Sequence, residues 1–409
     1  MSSTITTTKI MRLKILTVLL LVFNALGAQT KIEHLDIDSK HIDETRTLHI
    51  ALPKDYHKST KKYPIILILD NGLLFNTTSA IVNQLSSTSR MPESIVISMS
   101  PGEKHRSYFA PNLYSNNRNR KYNYGNNQEK FVQFLEYDLL PLIEKKYRVN
   151  SFKTLIGFSP SSIIGLHTLL HKPNLFQAYI CFAAGNIIGD GYKKDERLID
   201  NLEALYEKSK LKHNYLYVVS GGKDTESQPF ITKNIEDFNS KLSKFNNQNI
   251  HIKAEIIEGE GHTDVILPGL IKAFEFIFPK KKWMIDYLEL IEKKGSAKEN
   301  ILAFYKNLSD EYGFETYPNA DRLYSMSCLK NVGRRLARKE PKEAIEIFQY
   351  WTELYPTSHL ANYYLGIAFR ENNQTNKAKE YLEKAYNFAV SENSNSSKKY
   401  KAAIEDLKK

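Results

Sequence analysis

The sequence predicts an α/β protein, a mostly parallel sheet covered by helices on both faces, followed by a small all-α region. Three observations carry that prediction. Short apolar runs alternate with amphipathic segments from about residue 31 to residue 278, the pattern of strands buried on both faces of a sheet. One of these runs ends in Gly-x-Ser and passes at once into a helix-like segment. Beyond Pro279-Lys280-Lys281-Lys282 strand signals fade, and Ala344 and Ala378 mark a 34-residue period.

Taken in order, the chain opens on a segment outside the fold. Met11-Arg12-Leu13-Lys14 precedes an apolar run over residues 15–23, with Ala25, Gly27 and Ala28 after it. This is the order of a secretory signal, and the run is too short to span a bilayer. Residues 1–28 therefore read as a signal peptide and the protein as exported, periplasmic or secreted; an uncleaved anchor is the alternative. No later segment is apolar enough to cross a membrane. Residues 63–70 and 94–99 read as buried strands, and residues 129–147 as an amphipathic helix with Phe131, Phe134, Leu135, Leu139, Leu142 and Ile143 on one face. Strands follow over residues 154–156, 179–182, 215–219 and 250–257, with helices over 163–170, 231–245 and 267–278. The α/β unit is thus placed at 29–279 and the helical unit at 280–409.

In the helical unit, Ala344-x-x-x-Phe348 with Trp351 recurs as Ala378-x-x-x-Leu382 with Ala385. Leu365-Gly366-x-x-Phe369 precedes the second copy, and Val332-Gly333 precedes the first, one residue out of step. Small residues where two helices cross, at this period, are the tetratricopeptide pattern; a plain pair of helical hairpins is the alternative. With one or two copies such a unit is expected to lean on its neighbour for stability. Its polar stretch 391–399 reads as loose.

Composition narrows the function. A formal charge of +11 invites nucleic acid, yet the basic residues are dispersed and no RNA- or DNA-binding motif is present; a solvated surface explains the charge. The two cysteines, Cys181 and Cys328, fall in different units, so no disulfide framework is expected, and Cys181 in its apolar run reads as a buried thiol.

The chemistry lies in three places. Gly157-Phe158-Ser159-Pro160-Ser161-Ser162 has the strand–turn–helix setting of a nucleophile elbow. A serine nucleophile needs a base and an acid to orient that base, arriving in the chain order Ser, Asp or Glu, His at strand ends. Asp224 and Glu226 follow the strand at 215–219, with Asp224 preferred, and His262 follows the strand at 250–257 in Gly259-Glu260-Gly261-His262. Ser159, His262 and Asp224 are the expected catalytic residues. His105, His167, His171, His213 and His251 lack that context and read as solvent-facing or packing residues. No metal-ligand spacing stands out, and neither a metal nor an organic cofactor is expected. The Asn- and Tyr-rich stretch 114–127 reads either as a loop over the site or as a solvated insertion.

Residues 31–278 resemble the esterase family of α/β-hydrolases that includes S-formylglutathione hydrolase, the ferric-enterobactin esterases and several feruloyl and acetylxylan esterases. The resemblance rests on Tyr63-Pro64 with Leu69-Asp70-Asn71-Gly72, on Met91-Pro92-Glu93-Ser94, on Asp138-Leu139-Leu140-Pro141-Leu142, on the elbow and on the histidine turn. It implies an α/β-hydrolase fold and hydrolysis of a carboxylic ester, with a small-molecule or glycan-linked ester as substrate. The helical repeats resemble an extension of some bacterial members. They suggest a protein partner as well.

One departure bears on rate. The family usually has Gly-His/Gln-Ser-x-Gly-Gly, whereas Pro160 follows the serine here and serines stand at both later glycines. The residue after the nucleophile normally donates its N–H to the oxyanion, and proline has none. Loss of one such donor costs about 10²–10³ in rate. The second donor is expected near Gly72 and Leu73, and Ser161 or Ser162 is the candidate substitute for the first. The expectation is a slow esterase. A degenerate hydrolase fold used as a binding module is the alternative.

Overall fold

The computed structural model describes residues 32–69, 72–102, 105–109, 111–115, 120–122, 125–208 and 211–407; the signal peptide expected at 1–28, and Asp70 and Asn71, lie outside them. Eleven strands are present among the described residues: β1 Ile32–Ser39, β2 Glu44–Ala51, β3 Tyr63–Ile68, β4 Ile95–Met99, β5 Leu113–Ser115, β6 Arg120–Tyr122, β7 Val149–Phe158, β8 Ala178–Phe182, β9 Asp190–Gly191, β10 Asn214–Gly221 and β11 Ile250–Ile257. Eight form one sheet in the order β1-β2-β4-β3-β7-β8-β10-β11. The pairs β1–β2 and β2–β4 are antiparallel and the rest parallel. A small second sheet, β6-β5-β9, joins the region around residues 113–122 to Asp190 and Gly191.

The parallel strands form where apolar residues are continuous. Every residue of β3, β4, β8 and β10 is buried, which requires cover on both faces. On one face lie α2 (Pro160–His171) and α3 (Phe230–Leu242), through Ile163, Ile164, Leu166, Ile231 and Phe238. On the other lie α1 (Gly72–Ser87) and α4 (Ile266–Ile277), through Leu74, Phe75, Leu270 and Phe274. β1 and β2, where polar residues interrupt the apolar pattern, were not expected; β1 is the half-exposed edge of the sheet. The helix expected over 129–147 is three stretches, Gln128–Gln133, a wide π-type turn at Phe134–Leu139, and Leu140–Lys146. Pro141, which has no N–H to return to the preceding turn, follows the widened segment.

Beyond residue 279 the described chain is helical: α5 Ala297–Tyr312, α6 Leu329–Leu336, α7 Pro341–Leu354, α8 His359–Glu371, α9 Thr375–Ser391 and α10 Ser396–Asp406, with two short helices before them. A capping box of Ser296 and Glu299 starts α5, and Gly313 in the left-handed region ends it. The hairpins α6/α7 and α8/α9 close in the same way. A Cβ on Gly333 would lie 2.4 Å from the Phe348 ring, and one on Gly366 2.8 Å from Leu382, so glycine is what lets each helix pair approach. The stretch expected to be loose is instead partly α10, held by Tyr400. That ring is buried, stacks on Tyr363 at 4.5 Å and bonds His359 Nδ1 at 2.9 Å. A polar composition hid an anchor at the next residue.

The helical region lies under the amino ends of the strands. Tyr312 packs against Phe152 of β7, Tyr215 of β10 and Phe278, and its hydroxyl donates to the Ile277 carbonyl at 2.8 Å. The Thr60 N–H donates to Leu354 O at 2.9 Å and Ser151 Oγ to Gly313 O at 2.9 Å. Lys61, with its side chain 4 % exposed, bonds both Glu93 and the Tyr355 hydroxyl, among the rings of Tyr63, Tyr317 and Tyr355. A single hydrophobic cluster runs from Ile66 and Phe152 through Trp283 to Trp351 and Leu365. The carboxyl ends of the strands are left to the loops.

Candidate active site

β7 ends at Phe158, and Ser159 stands between it and α2 with φ 51° and ψ −115°. An L residue is held there only by its surroundings. The Ser159 N–H donates to Phe182 O at 2.9 Å, tying the turn to β8. A Cβ on Gly157 would come within 2.5 Å of Ser161 O, so glycine at this position is required for α2 to start so close to β7. The sharp turn points Ser159 out of the sheet edge.

β10 and β11 run in parallel register to their last pair, Gly221 and Ile257, so the segments after them emerge side by side. The expected turn carrying Asp224 is a short helix, Gly222–Ser227, and Lys223 N–H donates to Glu260 O at 3.0 Å, locking it to the histidine turn. His262 Nδ1 lies 2.9 Å from Asp224 Oδ2, and His262 Nε2 lies 3.1 Å from Ser159 Oγ. A carboxylate accepts only, so Nδ1 carries the proton and Nε2 presents its lone pair to the serine hydroxyl. Phe158 braces the imidazole edge-on at 5.3 Å between ring centres. The His262 side chain is 47 % exposed and Asp224 15 %, an open base over a sheltered acid. Glu226, the competing carboxylate, is exposed. Geometrically, the line Asp224–His262–Ser159 is able to move a proton off the serine.

One expectation around the oxyanion is overturned. Ser161 and Ser162 do not offer their hydroxyls to the site. Both are buried; Ser161 Oγ accepts from Phe158 N–H at 2.7 Å and donates to Phe158 O at 3.1 Å, and Ser162 Oγ donates to Phe182 O at 2.8 Å. They cap the elbow itself. Gly72 opens α1, the helix that starts beyond β3, next to β7 in the sheet. The amino ends of α1 and α2 thus begin at neighbouring strands, and helix amino ends favour a developing negative charge.

The other histidines divide. His251 stacks on Tyr215 at 4.8 Å near the seam with the helical region, and His213 adjoins Gly313 there. His167 and His171, read from the sequence as solvent-facing or packing residues, are one buried and one exposed, and with Glu129 their ligand atoms lie within 4.8 Å of one another. The signal was the i, i+4 spacing of two histidines on a predicted helix. Cys181 is buried, and burial pushes its thiol up to about 12; Cys328 is a separate buried thiol.

The sheet order and an elbow serine at the carboxyl edge define an α/β-hydrolase. The chain belongs to the Esterase family: the model described as "Putative esterase" matches residues 39–263, more than half of the chain. It is 26% identical over 250 residues to the ferri-bacillibactin esterase BesA of Bacillus subtilis, covering 57% of this chain and 86% of the relative. An IroE-like serine hydrolase from Shewanella oneidensis has the same fold, with TM-score 0.62 and 20% identity over 78% of this chain and 98% of its own. An uncharacterised protein from Capnocytophaga ochracea aligns over 92% of this chain and 99% of its own, with TM-score 0.55 and 13% identity. This family membership supports ester hydrolysis. No helix among the described residues is long and apolar enough to cross a membrane.

Proposed function

We propose that this protein is an exported serine esterase acting through an acyl-enzyme on Ser159, with a siderophore-type ester as substrate. The observation that carries the reading is the hydrogen-bonded line from Asp224 through His262 to Ser159. The substrate class is taken from the likeness to the ferri-bacillibactin esterase, and the exposed imidazole suits a bulky ester. Ser159 Oγ attacks the ester carbonyl carbon as its proton passes to His262 Nε2. The tetrahedral oxyanion collapses to the acyl-enzyme, and the departing alkoxide takes that proton from His262. Water, deprotonated by His262, then attacks the acyl carbon; the second tetrahedral intermediate expels Ser159 Oγ, which takes the proton back from His262 as the carboxylic acid leaves. Asp224 keeps the imidazole in the required tautomer throughout.

Pro160 removes one oxyanion donor and the committed hydroxyls of Ser161 and Ser162 do not replace it, so the turnover is expected to be slow. The same observation favours a second reading, a degenerate hydrolase that serves as a binding module, with the helical repeats meeting a protein partner. Labelling of the purified protein by a fluorophosphonate probe separates the two. Covalent labelling of the wild type that disappears in Ser159→Ala is the expected result. A folded wild type that takes no label would overturn the first reading and leave the second.

A further inference from the structure

At the far end of α2 from the elbow, two histidines and a carboxylate meet with no role in the proposed chemistry. His167 and His171 are one helical turn apart, their ring centres 4.0 Å from each other, and Glu129 comes from the stretch Gln128–Gln133. His167 Nε2 lies 2.8 Å from Glu129 Oε1, and His167 Nδ1 lies 2.8 Å from the Tyr192 hydroxyl. His171 Nδ1 lies 2.9 Å from the His167 carbonyl oxygen. We propose that Glu129, His167 and His171 form a site for a divalent transition ion of the zinc class, which fastens α2 to the helical stretch preceding β7.

The donor set and its distances fit such an ion. Zinc takes imidazole nitrogen and carboxylate oxygen at about 2.0–2.2 Å in tetrahedral array, which puts ligand atoms roughly 3.3–3.6 Å apart. The three ligand atoms already lie within 4.8 Å of one another, so closure needs side-chain rotation only. His167 is buried, 2 % exposed, and is the immobile member, whereas Glu129 and His171 are exposed. Tautomers are compatible. A carbonyl oxygen only accepts, so His171 carries its proton on Nδ1 and presents the Nε2 lone pair. His167 donates from Nε2 to Glu129 without an ion. With one, its proton shifts to Nδ1 and the Tyr192 hydroxyl turns from donor to acceptor, so that no proton leaves the residue. Three protein ligands leave a fourth position to water. His167 is eight residues along α2 from Ser159, roughly 12 Å at 1.5 Å per residue; at that distance the ion acts as a fastening and is not a reactant.

The test is calorimetric titration of the tag-free full chain, stripped with chelator, with Zn²⁺, alongside the visible spectrum of the Co²⁺ form. One equivalent of Zn²⁺ at micromolar concentration, low-coordinate Co²⁺ bands and a Zn²⁺-dependent rise in Tm are expected. The exposed positions make Glu129→Gln and His171→Ala safe for folding. Each should weaken Zn²⁺ binding by about 100-fold or more, the upper range for loss of a mere outer hydrogen bond. His262→Ala should leave it unchanged. The proposal is overturned if wild type binds no Zn²⁺ at micromolar concentration, if binding persists undiminished in His171→Ala, or if it is lost in His262→Ala.

Discussion

The two edges of the parallel sheet are built by opposite means. At the carboxyl edge a few residues are held by backbone bonds and strain: Ser159 at positive φ, Lys223 N–H on Glu260 O, and an imidazole almost half exposed. At the amino edge many large rings are buried together, with Phe152, Tyr215, Phe278, Trp283 and Tyr312 in mutual contact. The difference teaches where this molecule keeps its stability and where its chemistry. Apolar burial contributes in proportion to area, so the rings buried at the seam with the helical region add to stability where the opposite edge does not. The edge that carries the proposed triad gives up burial, as the half-exposed imidazole of His262 shows.

If the edges are separable, a change at one should spare the other. The largest effect is expected from Asp224→Asn, which keeps the shape but presents the wrong tautomer of His262. Turnover should fall by about 10⁴, as in triads of this kind, while the melting temperature stays within error; Glu226→Gln should alter turnover less than about twofold, being outside the line. A parallel loss of stability in Asp224→Asn would break the comparison. Next comes Tyr312→Ala at the seam. It removes a buried ring, the bond to Ile277 O and the acceptor of Trp283 Nε1, at a cost of about 3–5 kcal/mol. Urea unfolding should report that loss, and fluorophosphonate labelling of the fraction still folded should proceed at the wild-type rate. Smallest is Pro160→Ala, which returns an N–H beside Ser159 and is expected to raise kcat by about 10²–10³, or 2.7–4 kcal/mol. Steady-state assay on a short-chain ester measures it. An unchanged kcat would mean that the elbow does not present this N–H to the oxyanion.

Legibility in the sequence followed the same division. The elbow, the acid and the histidine turn could be read because each is a local signature: Gly157 spaced from Ser159, a carboxylate after one strand, glycines before His262. The central strands were legible as continuous apolar runs. What escaped depended on distant partners. β1 and β2 carry mixed residues and become strands by pairing along the β4 edge. The anchor Tyr400 looks polar in context until Tyr363 and His359 are beside it. Ser161 and Ser162 read as spare donors, and only the packing of α2 on β7 and β8 shows their hydroxyls spent on Phe158 and Phe182.

The sequence by itself determined the order of the central strands, the chain order Ser159, Asp224, His262, and the absence of an N–H at residue 160. These are properties of residue type and spacing, and a pyrrolidine nitrogen lacks its proton in any fold. Only the tertiary structure decided that Asp224 and not Glu226 reaches His262, that the helical region sits under the amino edge, and that Glu129 meets His167 and His171. Each of those rests on contacts between segments far apart in the chain. Their geometry is set by how the layers pack, and no local pattern records it.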